Sequence, residues 1–199
     1  SSMRWSEQGV QVIARAGRHL AVALTLCLGA CANGEGEGEV SGSVSAPECG
    51  IDDTAWELRP NFFVQDPWEN TAVIRVQRGS NYQDLSNGLV ISISDVEEVR
   101  GSFGTPIDLS AEDSPVTITL TLDGTCRPAR RDPSVVLIAR SGTITFTALY
   151  DPRSDDGPET SATIDGLVMD DGEEEPSTAE LSGYFTFLFA RGRPGQRYP

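Results

Sequence analysis

The chain has 199 residues, with 15 Arg, no Lys, 30 Asp and Glu, and a single His, giving a formal net charge of −15. That histidine is His19, so the rest of the chain has no imidazole, which excludes Ser-His-Asp and Cys-His nucleophile pairs and histidine-ligated metal there. Without Lys there is no Schiff base, Ser-Lys dyad or phosphate-loop lysine, and the acidic excess repels nucleic acid, so no cofactor and no nucleic-acid partner is expected.

Met3 to Arg18 carries three Arg and one Glu, a net positive segment, and Leu20 to Leu28 (LAVALTLCL) follows as an uncharged apolar run. Nine residues make a helix of about 14 Å, against ~30 Å of bilayer hydrocarbon. The run is too short to span and fits the hydrophobic part of a cleavable signal, so residues 1–30 read as a signal peptide. It closes on Leu28-Gly29-Ala30-Cys31. This quartet resembles the lipobox of bacterial lipoproteins, with small residues on the cleaved side and a thiol that receives diacylglycerol. The resemblance covers residues 3–34. It implies cleavage before Cys31, lipidation of Cys31 with acyl chains such as palmitate, and a membrane as covalent partner. Each buried CH₂ adds about 0.8 kcal/mol, so such an anchor is stable. Ala32 stands where an Asp marks inner-membrane retention in many lipoproteins, so the resemblance favours the outer membrane, facing periplasm or surface.

Beyond the signal, 12 Arg stand against 29 acids, or −17. Residues 31–48 comprise Cys31 and a Gly/Ser/Glu segment with Glu35, Glu37 and Glu39. They read as a flexible, self-repelling tether of roughly 20–25 Å. Residues 49–199 read as one β-domain.

Within it, apolar and polar residues alternate with period two. Leu89, Ile91 and Ile93, then Val116, Ile118, Leu120 and Leu122, then Ile144, Phe146, Ala148 and Tyr150 each predict a strand with one buried face. Weaker strands are expected at 55–58, 71–77, 135–139 and 161–169. Tyr184 to Phe189 (YFTFLF) is apolar on both faces and predicts a central strand covered on both sides. Asn87-Gly88, Asp123-Gly124, Ser141-Gly142 and Asp151-Pro152 supply turns. The last three strands read as a meander, and no helix is expected. The fold expected is all-β, an antiparallel sandwich or alternatively a small barrel. GTITFTAL and GYFTFLF look similar to β-rich domains of uncharacterised exported lipoproteins, a likeness too generic to carry a function.

With Cys27 lost in the signal and Cys31 acylated, Cys49 and Cys126 remain, and an oxidising compartment predicts a disulfide between them. Two acidic loops, 151–158 and 170–176, offer Asp155, Asp156, Asp170 and Asp171 as weak calcium ligands. They lie at opposite ends of one expected strand and cannot share an ion. Trp56, Phe62, Phe63, Trp68 and Tyr82 gather in an irregular, Pro-interrupted stretch that forms either core or a glycan- or protein-binding face. The basic segment Arg191 to Pro199 is expected to lie along its own acidic domain. Function reads as a non-catalytic, membrane-anchored envelope protein, structural or binding an envelope protein or glycan. A lipid-tethered carboxylate hydrolase and a calcium-binding surface module are the alternatives, with no catalytic residue singled out.

Overall fold

The computed structural model describes residues 36–79, 86–126 and 135–189. Cys31, Tyr82 and the segment 190–199 lie outside the described residues. Ten strands form one antiparallel sheet: β1 (Gly36–Ala46), β2 (Ile51–Leu58), β3 (Phe62–Trp68), β4 (Thr71–Gln77), β5 (Asn87–Ile93), β6 (Ile107–Asp108), β7 (Val116–Leu122), β8 (Val136–Ala148), β9 (Glu159–Asp170) and β10 (Thr178–Leu188). The order is β2-β1-β10-β9-β8-β7-β5-β4-β3, with β6 on β8. The all-β expectation holds. The strands form one continuous curled sheet, closer to the barrel alternative than to two separate layers.

The alternation explains the curl. Val116, Ile118, Leu120 and Leu122 are buried while Thr117 is exposed and Thr119 and Thr121 are half-exposed. One apolar cluster collects inward side chains from both edge strands, Leu58 of β2 and Phe63 of β3, together with those of the central strands. A single sheet with one apolar face buries it by wrapping its halves against each other. Ser141-Gly142, expected as a turn, lies inside β8, whose pairing with β9 shifts register there. There Gly142 has φ +110°, and a Cβ would meet the Gly166 carbonyl oxygen at 2.7 Å. At one end, the edge strand β3 closes the fold by contacts to other strands. Phe63 stacks on Phe187 of β10 at 5.5 Å. Gln65, 1% exposed, donates from Nε2 to the Tyr150 carbonyl (2.7 Å) and accepts from Thr160 Oγ1 (2.5 Å). The Tyr150 N–H donates in turn to Thr160 Oγ1 at 3.0 Å, so this buried ring of polar groups is satisfied internally.

Three expectations are corrected. The supposed tether is β1 from Gly36 onward, lying between β2 and β10 with Val40, Val44 and Ala46 buried. The β-domain therefore starts at least thirteen residues before Cys49. Its glycines are there because the strands approach closely. A Cβ at Gly42 would overlap the Glu180 carbonyl oxygen, and one at Gly183 the Glu39 carbonyl oxygen. Gly42→Ala is expected to cost about 2–3 kcal/mol through forced backbone shifts, measured as a lower denaturant midpoint at unchanged m-value. A variant as stable as the parent would remove this explanation of the glycines.

The second correction concerns the last strand. Phe185 and Phe187 are buried, but Tyr184 and Leu188 are each 45% exposed, so only one face of β10 is covered. The third concerns the segment around Pro67, which is an ordinary strand rather than irregular chain. Proline is tolerated there because β3 is an edge and pairs only with β4. A short helix, α1 (Val96–Gly101), was also unexpected. Asp95 caps it, accepting from the Glu98 N–H at 2.9 Å, and Val96 and Val99 anchor it in the core.

Candidate functional site

The two cysteines among the described residues, Cys49 and Cys126, come together. A 3₁₀ turn, Pro47–Cys49, carries the chain from β1 to β2, and Cys126 follows β7. Their Cα atoms are 5.0 Å apart, disulfide distance, across 77 residues of sequence. β1 and β7 are separated in the sheet by β10, β9 and β8. The pair therefore ties remote strands across the curl.

The acidic loops are the second place where chemistry could reside. Loop 151–158 packs on α1 through arginines that sequence reading did not single out. Asp151, 5% exposed, accepts from Arg153 Nε (3.1 Å), Nη2 (2.9 Å) and backbone N–H (2.8 Å). Arg153 also reaches Glu97 of α1 at 3.2 Å. Arg100 of α1, its side chain 14% exposed, donates to the Leu149 carbonyl (2.8 Å), to Ser154 Oγ (2.9 Å) and to Asp156. The Asp-Pro-Arg spacing of 151–153 was the available signal, because it places a guanidinium two residues from a carboxylate within one turn.

The four calcium candidates are dispersed by this arrangement. Asp155 is exposed on its turn and Asp156 is held by Arg100. At the far end of β9, Asp170 accepts from Arg140 Nε at 2.8 Å. Asp171 closes its own loop by accepting from the Glu173 and Ser177 N–H groups at 3.1 and 2.9 Å. Asp155 and Asp156 are thus not brought to Asp170 and Asp171. Among the described residues, no group of three or more His, Cys, Asp or Glu is placed to hold a metal ion.

Hydrogen bonds tune these carboxylates in one direction. The Arg153 side chain is the main cause that holds Asp151 below the ordinary carboxylate value, against burial, which raises it. For Asp171 burial pushes upward most, but hydrogen bonds from the Glu173 and Ser177 N–H groups, the Ser177 side chain and the Asp171 backbone together outweigh it and the net shift is downward. The Glu98 N–H lowers Asp95, and the Ser110 hydroxyl lowers Asp108. A general acid near neutrality needs the opposite shift. A carboxylate whose folded value is lowered contributes stability that is complete above its unfolded value, about 3.9, and lost as pH falls toward the folded one. The melting temperature is therefore expected to hold between roughly pH 5 and 7 and to fall below about pH 4. Asp151→Asn should flatten part of that fall; an unchanged acid limb would separate Asp151 from it.

The aromatic set divides. Trp56, Phe62 and Phe63 are buried, whereas Trp68 at the end of β3 is 59% exposed. Only Trp68, among the described members of this set, can meet a partner. No protein-family model, curated protein or solved structure matches the chain.

Proposed function

We propose that this protein is an exported lipoprotein whose β-domain is fixed to a membrane through acyl chains on Cys31 and acts by binding or structure rather than by catalysis. The observation that carries the reading is the placement of Leu28-Gly29-Ala30-Cys31 at the end of a basic segment and an apolar run. Two features of the fold support it. The first strand begins at Gly36, immediately after the segment that a signal and lipobox would occupy. Cys49 and Cys126 at disulfide distance suit an oxidising compartment outside the cytoplasm. Asp151 favours the non-catalytic reading over a hydrolase, because the Arg153 side chain holds its carboxyl below the ordinary value, the opposite of what a general acid needs. Trp68 is the natural contact for a protein or glycan partner in the envelope, and the outer membrane is the destination consistent with Ala32.

Metabolic labelling with palmitate in a bacterial host tests the anchor. The wild type is expected to incorporate label and Cys31→Ala to incorporate none. An unlabelled wild type, or a labelled Cys31→Ala, overturns the reading.

A further inference from the structure

We infer that the Cys49–Cys126 bond is a redox-sensitive clasp, whose reduction frees the corner between β1 and β2, residues 47–55, while the rest of the sheet stays folded. The inference rests on the pair being oxidised and goes beyond a constraint on the unfolded chain. It starts from an asymmetry between the two sides of the bond. Cys126 is held in place without it. The Cys126 and Thr125 N–H groups donate to the Leu122 carbonyl at 2.7 and 3.0 Å. The Asn87 side chain, at the start of β5, accepts from the Gly124 and Thr125 N–H groups, both at 3.0 Å, and donates to Thr125 Oγ1.

Cys49 has weaker support. The 3₁₀ turn Pro47–Cys49 buries none of its residues and closes through the Gly50 N–H on the Pro47 carbonyl at 3.0 Å. β2, which follows, is an edge strand paired with β1 alone. Its first half is loosely held. Asp52, Asp53, Thr54 and Ala55 are exposed, Asp53 is strained at φ +37°, and the pairing with β1 shifts register between Val44 and Ala46. β2 is buried only at Trp56 and Leu58. The Trp56 indole N–H finds no hydrogen-bond partner among the described residues, so opening beside it relieves a buried orphan donor. Segments with few buried apolar contacts and exposed backbone hydrogen bonds open at the lowest cost in free energy. The bond to Cys126 ties this segment across the curl, and both cysteines are half-buried rather than enclosed. A dithiol reductant supplies the chemistry. Its thiolate attacks one sulfur of the pair, and the other sulfur leaves as a thiolate and takes a proton. The reductant's second thiol then resolves the mixed disulfide. Two electrons have passed to the pair, leaving Cys49 and Cys126 as thiols and the reductant as a disulfide.

Native-state hydrogen exchange with and without dithiothreitol, read peptide by peptide at times too short for global unfolding, tests the clasp. Alkylation of the denatured, unreduced protein comes first, and two alkylated thiols there overturn the oxidised pair and the clasp with it. With the bond present, reduction is expected to speed exchange in residues 47–55 about tenfold. The paired amides of β9 and β10 and the turn 122–126 should keep their protection over the same times. Cys49→Ser/Cys126→Ser should exchange at the fast rate with or without dithiothreitol. A corner that exchanges equally in the oxidised and reduced protein overturns the inference and leaves the bond a constraint on the unfolded chain alone. Acceleration spread evenly over the sheet overturns it too, because that is global loosening.

Discussion

A chain that begins at Cys49 is expected not to fold, while one that begins at Asn33 folds cooperatively. The difference is β1. Its residues pair with β10 from Gly36 opposite Phe187 to Ser45 opposite Thr178, and on the other side with β2. Deleting it leaves β2 with no neighbour in the sheet and exposes the inner edge of β10. Val40 and Val44 would each forfeit about 1.5–3 kcal/mol of burial. Trp56 and Leu58, buried on β2, lose the strand that holds them in the core. Together with the lost ladder this reaches the 5–15 kcal/mol that ordinarily separates folded from unfolded chains. Circular dichroism during heating separates the outcomes. The shorter chain should show no cooperative transition, and a matching transition in both chains would mean that β1 is dispensable.

Removing the cystine pair is the second large effect. A bond closing a loop of this length, Cys49 to Cys126 with a separation of 77, restricts the unfolded chain by about 4.5 kcal/mol in the chain-entropy description. For a domain of this size, that corresponds to a fall of roughly 10–18 °C in melting temperature. Reductant should lower the wild-type midpoint by that order and leave the Cys49→Ser/Cys126→Ser double variant unmoved. Two alkylatable thiols in denatured, unreduced protein, or a wild-type midpoint indifferent to reductant, would contradict it.

Where alternation was strict, the sequence was legible. β5, β7 and the second half of β8 were readable because polar residues alternate there with Leu, Ile, Val and Phe, and the structure buries Leu89, Ile91 and Ile93, the four apolar residues of β7, and Ile144 and Phe146, leaving Val90 and Ala148 half-buried. β1 was illegible for a physical reason. Its Gly, Ser and Glu composition is that of a solvated linker, and close backbone approach to β10 is what calls for glycine at 42. Such an approach is a property of the assembled sheet and leaves no local signal. α1 was shorter than any periodicity test can resolve, although Asp95 and Glu98 carried the spacing of a helix start. The exposure of Tyr184 and Leu188 was hidden because a run apolar on both faces gives no clue to which face lacks cover. Of the candidate sites, the cysteine pair followed from counting thiols. The carboxylate–arginine network did not, because Arg100 lies 56 residues before its partner Asp156.

Attachment through Cys31 is the central claim, and the intact mass of the protein extracted from membranes tests it most directly. The account predicts a mature chain whose first residue is Cys31, heavier than the same unmodified polypeptide by a diacylglyceryl group and, where the host adds it, an amide-linked acyl chain. A mature chain that begins at another residue, or an unmodified Cys31, would contradict it.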